Sequence, residues 1–213
     1  MSHFRQPAYS SVWASLLCLL AIPVLNIFYG ILNKAGDRVF SLETSFDHLI
    51  PFAPIFVIPY LLWYPFITGV LVLLAFKNRR TYFQTLIALC SGLIISYICF
   101  ASFQTGIQRP EVHSEKGILS QLISLVYKTD QPYNCFPSIH VLTSYLMLRG
   151  SRVFNRYAWA LVTVISILII LSTVFVKQHV VLDILGGIVA GELCFFLSGV
   201  LIKQKTKKQQ SAT

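Results

Sequence analysis

Residues 157–202 read YAWALVTVISILIILSTVFVKQHVVLDILGGIVAGELCFFLSGVLI, two long apolar runs joined only by Lys177, Gln178 and His179. At 1.5 Å per residue, each run is long enough as a helix to cross a hydrocarbon core of about 30 Å. The joint also carries chemistry. His179 and Asp183 are four residues apart, and at that spacing two side chains share one face of a helix. A carboxylate inside a membrane costs about 2.5–3.5 kcal/mol, so Asp183 is expected to have a partner, and His179 is the nearest. The pair reads as a working imidazole or, equally, as a structural polar contact near the end of a span.

The rest of the chain has the same character. Of its 213 residues 55% are hydrophobic and only 12% charged, which indicates an integral membrane protein. A net charge of +9 does not point to nucleic acid, because the Lys and Arg residues lie in short links between apolar runs and form no basic face. Expected spans are 12–32, 49–76, 82–103, 136–153, 157–176 and 180–202, followed by a basic tail at 203–213. Pro51, Pro54, Pro59 and Pro65 should kink or unwind the first half of the second span. The fourth is short, and Arg149, Arg152 and Arg156 behind it suggest an interfacial extension with snorkelling side chains. Between spans three and four, Ile118, Leu119, Leu122, Ile123 and Val126 recur at helical spacing, predicting a short amphipathic surface helix. The fold expected is one all-α membrane domain of six transmembrane helices.

Orientation follows from the basic residues. One side would hold Arg5, Lys77, Arg79, Arg80, Arg149, Arg152, Arg156 and the four tail lysines, with no acidic residue; both termini are therefore expected in the cytoplasm. The N-terminal run is read as a retained first span. The five cysteines show no C-x-x-C spacing, and four sit in apolar runs as small hydrophobes, which implies no disulfide framework. In span six, Gly187 and Gly191 make a helix-packing face, while Glu192 lies on the opposite side from Asp183 and is left out of the site.

Three polar clusters then meet at one non-cytoplasmic membrane face: Gln108-Arg109-Pro110, Cys135-Phe136-Pro137-Ser138-Ile139-His140 and Lys177-Gln178-His179. Together with Asp183 they supply cations, a nucleophile and a proton donor, which is what a phosphate site requires. Pro137 suits the first position of a helix whose free amides, with Ser138, could face an anion.

Arg109-Pro110, Pro137-Ser138-Ile139-His140, and Ser172, His179 and Asp183 in the order S-x6-H-x3-D resemble the signature motifs of the type 2 phosphatidic acid phosphatase superfamily. That family is written K-x6-R-P, P-S-G-H and S-R-x5-H-x3-D, and its members are six-span bundles with the site at the non-cytoplasmic face. The resemblance implies that His179 takes the phosphoryl group, Asp183 orients its ring and His140 protonates the leaving alkoxide. Arg109 and the Ser138 region would bind phosphate oxygens, with no cofactor or metal.

The sequence departs from the pattern at Ser102, where the family has Lys, at Thr173, where it has Arg, and at Ile139, where it has Gly. Lys177 could supply one missing cation. P-S-x-H-V with fewer cations also resembles the branch containing sphingomyelin and inositol phosphorylceramide synthases, and the 47–64 run is similar. A lipid phosphatase acting on a lipid phosphate or diphosphate is favoured, because shielding a phosphohistidine from water for transfer would need a lid and the surface helix at 118–126, the one extramembrane element apolar enough to serve, is short. A head-group phosphotransferase and a non-catalytic lipid-phosphate binder or transporter remain as alternatives. A zinc site of His140, His179, Asp183 and Cys135 has acceptable ligand types but no close ligand pair beyond H-x3-D.

Overall fold

The computed structural model describes residues 9–113, 115 and 117–210; Arg5 and Lys116 of the charge count and the last three tail residues lie outside them. Helix α1 (Tyr9–Leu17) passes through a 3₁₀ turn, Cys18–Leu20, into α2 (Ala21–Leu32). Pro23 accounts for the turn, because a proline ring clashes with the carbonyl four residues back. The expected first span is thus one apolar rod, Val12–Leu32.

The second span starts later than position 49. Leu49 ends a short helix α3 (Ser45–Leu49), and Ile50 and Ala53 are extended, at ψ 119° and 94°. Each precedes a proline, whose Cδ excludes the helical region for its predecessor. The helix resumes with a 3₁₀ turn at Pro54–Phe56, then α4 (Val57–Leu61) and α5 (Trp63–Lys77), broken between Pro59 and Pro65 as expected. Only Asn78 separates α5 from α6 (Arg79–Ser102), and its side chain accepts from Thr81 N–H at 3.0 Å, so the basic link 77–80 is mostly helix end. After α7 (Ile118–Thr129) and α8 (Ile139–Gly150) come α9 (Arg156–Phe175), capped by Asn155, and α10 (Val181–Gln210), into which the basic tail continues.

Among the described residues five helices are long and apolar enough to cross a membrane, and the expected fourth span, 136–153, is not one of them. It forms the 12-residue α8, about 18 Å long, plus a 3₁₀ turn, Ser151–Val153. The reason lies in its surroundings. From Ile139 through Ser144, and again at Leu146, Met147 and Gly150, α8 is buried, packed by α5, α6, α9 and α10. A helix sheathed by protein needs neither a lipid-length run nor a wholly apolar surface. Gly186, Gly187 and Gly191 let α10 approach it. A Cβ at Gly187 would stand 2.8 Å from Ser138 O, one at Gly191 would stand 3.1 Å from Tyr145, and one at Gly186 would strike the Phe136 ring.

Outward-facing side chains such as Val24, Ile27, Leu161, Val164, Leu185, Val189 and Phe196 are large, apolar and exposed, the shell that lipid would cover. The chain is an all-α membrane bundle. At one end a minimal parallel pairing joins β1 (Phe40–Ser41) to β2 (Thr105–Gly106), and Gly106 bridges to Tyr133. These contacts tie the loops before α3, after α6 and before α8 to the end of the bundle where His140 and His179 sit. Helix α7 lies across that end, with Ile123 and Val126 packed on Val57, Tyr60 and Val176, and Ile118 and Leu125 exposed.

Candidate active site

His179 stands in the turn before α10 and not on the helix, so its pairing with Asp183 arises from capping geometry instead of a shared helical face. The carbonyl of Thr173 ends α9 by accepting from Gln178 N–H at 2.9 Å and His179 N–H at 3.1 Å, and Lys177 takes the left-handed conformation (φ 54°) that reverses the chain. Asp183 lies in the first turn of α10, where a negative charge complements the helix dipole. Its Oδ2 accepts from Val180 N–H at 2.9 Å and lies 3.3 Å from His179 Nδ1. The carboxylate is fully buried and Oδ1 has no partner among the described residues. With Nδ1 facing the carboxylate, Nε2 is the nitrogen left for chemistry.

His140, buried in the first turn of α8, lies between Tyr60 and Trp63, with ring centroids at 4.6 and 4.1 Å, and 5.8 Å from the ring of His179. Trp63 is fixed by a 2.8 Å bond from Nε1 to Thr143 Oγ1, one turn further along α8. Ser138 caps this helix: its Oγ accepts from Val141 N–H at 3.4 Å, and its own N–H donates to Asp183 O at 3.2 Å. Pro137 therefore precedes the cap and is not the first helical residue. Ser138 sets the start of α8 and locks it to α10.

Arg109 and Lys177 come to the same end of the bundle. Arg109 is held over the Tyr127 ring at 4.6 Å, donates to Asp130 O at 2.8 Å and Tyr127 O at 3.4 Å, and pairs with the Gln178 side chain. Its Nε is buried without a partner among the described residues, as are Gln178 Nε2 and His140 Nδ1. Lys177 donates to the carbonyls of Asp47 at 3.0 Å and Ile50 at 2.7 Å, which uses two of its three donors. The two positions where the motifs have cations do not contribute side chains: the Ser102 hydroxyl bonds Ile98 O on the exposed end of α6, and that of Thr173 bonds Ile170 O.

Two cavities flank the imidazoles. One, of about 220 Å³, is lined by His179, Lys177, Gln108, Asp47, Glu43 and His48. The other, of about 270 Å³, is lined by His140, Asp130, Tyr29, Tyr60, Trp63 and Tyr64. His48 thus borders the site. Asp47, Asp130 and the aromatic wall had not been singled out. Asp47 had a signal, since Thr44-x-x-Asp47 has capping-box spacing. Both Thr44 donors reach its Oδ2, at 2.6 and 2.8 Å, and Oδ1 accepts from Val181 N–H at 2.7 Å, fixing the start of α10. Burial works against the Asp47 charge, but these bonds and Lys177 outweigh it and hold the carboxyl below its usual range.

Of the zinc ligands considered from sequence, Cys135, His179 and Asp183 offer atoms within 4.8 Å of one another, without His140. Burial, reinforced by Asp183, pushes the Cys135 thiol well above its ordinary value, so the set is a neutral thiol beside an imidazole–carboxylate pair.

The comparison with curated proteins and the comparison with solved structures each give no match. A family model described as the PAP2 superfamily matches residues 85–207, more than half of the chain and the whole stretch from Arg109 to Asp183. With the Arg-Pro, Ser-x-His and His-x3-Asp elements at the end of the bundle that holds two neighbouring imidazoles, all inside that match, the chain belongs to the PAP2 superfamily.

Proposed function

We propose that the protein is a lipid phosphate phosphohydrolase that works through a phosphohistidine at the non-cytoplasmic membrane face. Membership of the PAP2 superfamily supports a phosphatase or phosphotransferase-type function on lipid-like substrates. The observation that carries the finer reading is the pair of imidazoles 5.8 Å apart, one against a buried carboxylate, amid buried donors left without partners. His179 Nε2 attacks phosphorus and the P–O bond to the lipid alkoxide breaks, while protonated His140 delivers its proton to that oxygen. Neutral His140 then takes a proton from water as its oxygen attacks the phosphohistidine; the N–P bond breaks and inorganic phosphate leaves. Arg109 Nε, Gln178 Nε2 and the third Lys177 donor are the groups available to the phosphoryl oxygens. His179, His140 and Asp183 carry the chemistry without a metal or cofactor, and Ser138 acts by positioning α8.

Both termini are placed in the cytoplasm because Lys77, Arg79, Arg80, Arg149, Arg152 and Arg156 cluster at the end opposite the site. On this reading α8 is a sixth, protein-sheathed crossing of a cell-membrane protein. Phosphotransfer to a lipid acceptor stays as the second reading, favoured by the separate cavity beside His140, where an acceptor hydroxyl could stand.

The test is release of inorganic phosphate by purified protein in detergent, without added acceptor, from a panel of lipid mono- and diphosphates. Acid-labile phosphate on wild type and none on His179→Ala is the expected companion result. Turnover that requires ceramide or diacylglycerol, with negligible free phosphate, overturns hydrolysis in favour of transfer; no turnover of either kind leaves a lipid-phosphate binder.

A further inference from the structure

The cavity beside His140 has a chemistry opposite to that of a phosphate site. Asp130 extends into it from the end of α7, one carboxylate oxygen accepting from the Tyr29 hydroxyl and the other from the Tyr60 hydroxyl at 2.7 Å. None of the ion pairs among the described residues includes Asp130; the nearby Arg109 guanidinium is engaged by the carbonyls of Asp130 and Tyr127 and by Gln178. A carboxylate has about four acceptor positions, and two remain. Asn33 adds a buried Oδ1 with no partner among the described residues, and its amide nitrogen donates to Thr129 O at 3.5 Å. Four aromatic side chains, Tyr29, Tyr60, Trp63 and Tyr64, complete the wall. Acceptor oxygens and aromatic side chains around a half-buried carboxylate that joins no ion pair among the described residues favour a cation carrying N–H donors over an anion.

The position of His140 says which part of a substrate stands there. A general acid must be within hydrogen-bond reach of the leaving oxygen, so the alcohol half of the ester lies on the His140 side while the phosphoryl group faces His179. We propose that this cavity selects lipid phosphates whose alcohol half carries a protonated amine within a few atoms of the phosphate ester, held by Asp130. The inference rests on the phosphatase reading for where the ester lies, and names the substrate class of that site.

Three phosphates of one chain length test it on the wild-type protein: a 2-ammonio-alkyl phosphate, its N-acetyl derivative and the unsubstituted alkyl phosphate. The expected kcat/KM for the amine exceeds both others by about tenfold to a hundredfold, the usual size of a hydrogen bond to a charged group. Asp130→Asn should bring that ratio close to one. Binding of the product alcohols to wild type, measured by calorimetry in detergent, gives an answer that needs no variant to fold: the amino alcohol should bind more tightly than the plain alcohol. Equal turnover of the three phosphates with equal binding of the alcohols overturns the cavity assignment and leaves the phosphatase standing. Tighter binding of the amino alcohol with no phosphate released from any substrate keeps the cavity assignment and removes the phosphatase.

Discussion

Replacing Asp183 by Asn tests the imidazole–carboxylate pair with the smallest change of shape. In the structure one oxygen, Oδ2, serves both Val180 N–H at 2.9 Å and His179 Nδ1 at 3.3 Å, while Oδ1 is buried without a partner among the described residues. An Asn amide has two orientations there. With its oxygen at the Oδ2 position both contacts survive, and what is lost is the charge assistance. A hydrogen bond to a charged group contributes about 1.5–3 kcal/mol, so kcat falls by about 10- to 150-fold. With the NH₂ at that position, two donors face each other at Val180 and the imidazole is driven to the tautomer protonated on Nε2, its nucleophilic nitrogen. The comparable change in a serine protease costs about 10⁴-fold. The Val180 N–H selects the first orientation, so the smaller loss is expected. The assay is phosphate release under saturating lipid phosphate, with thermal unfolding in detergent to show that the variant is folded. Asp183→Asn with wild-type kcat and wild-type Tm would refute the orienting role.

Other expectations follow from the same geometry. His140→Ala should lower kcat by about 10²–10⁴-fold with a lipid phosphate and by much less with a nitrophenyl phosphate, whose leaving group needs no proton; an equal loss on both would assign His140 to binding. Glu192 holds Arg149 through contacts of 2.8 and 2.9 Å and accepts from Tyr145 OH at 2.7 Å, so Glu192→Gln should destabilise the bundle by about 1–3 kcal/mol. The double variant with Arg149→Met should unfold at a higher temperature than additivity allows, and strict additivity would dissolve the pair. In a cysteine-free background, impermeant thiol reagents should label His113→Cys in intact cells and leave Gln204→Cys untouched until the membrane is opened; the reverse pattern would invert the topology.

Spans whose outer faces meet lipid were legible because their signal is length of apolar sequence alone: 12–32, 82–103, 157–176 and 180–202 each correspond to a long helix. Helix α8 obeys a different rule. Its neighbours supply the apolar surroundings, so its sequence can carry Ser, Thr and His and stop short. The start of the second long helix at Pro54 was set by two X-Pro steps, a local effect that a hydropathy reading smooths over. At the site, His179, Asp183, His140 and Arg109 were found by spacing and motif. Lys177 was legible as a nearby cation, but its ties to α3 carbonyls were not. Asp130 and the aromatic wall escaped because they come from α2, α4, α5 and the end of α7, four places with no common spacing. Glu192, left out of the site on helical spacing, has its partner in Arg149, more than forty residues away in sequence.

The brevity of α8 bears on how the protein is made. A 12-residue helix spans about 18 Å, too little to partition into a bilayer on its own merits, whereas α9 and α10 behind it are long enough to insert independently. Synthesis therefore delivers His140 before the helix that carries it has a stable place. Its place is completed by Gly187 and Gly191 on α10, which is made only after α8 and α9. Chains cut short before His179 would lack the imidazole–carboxylate pair and also the surface that seats His140. The pair of imidazoles and the seat of His140 are therefore completed together, when α10 packs against α8.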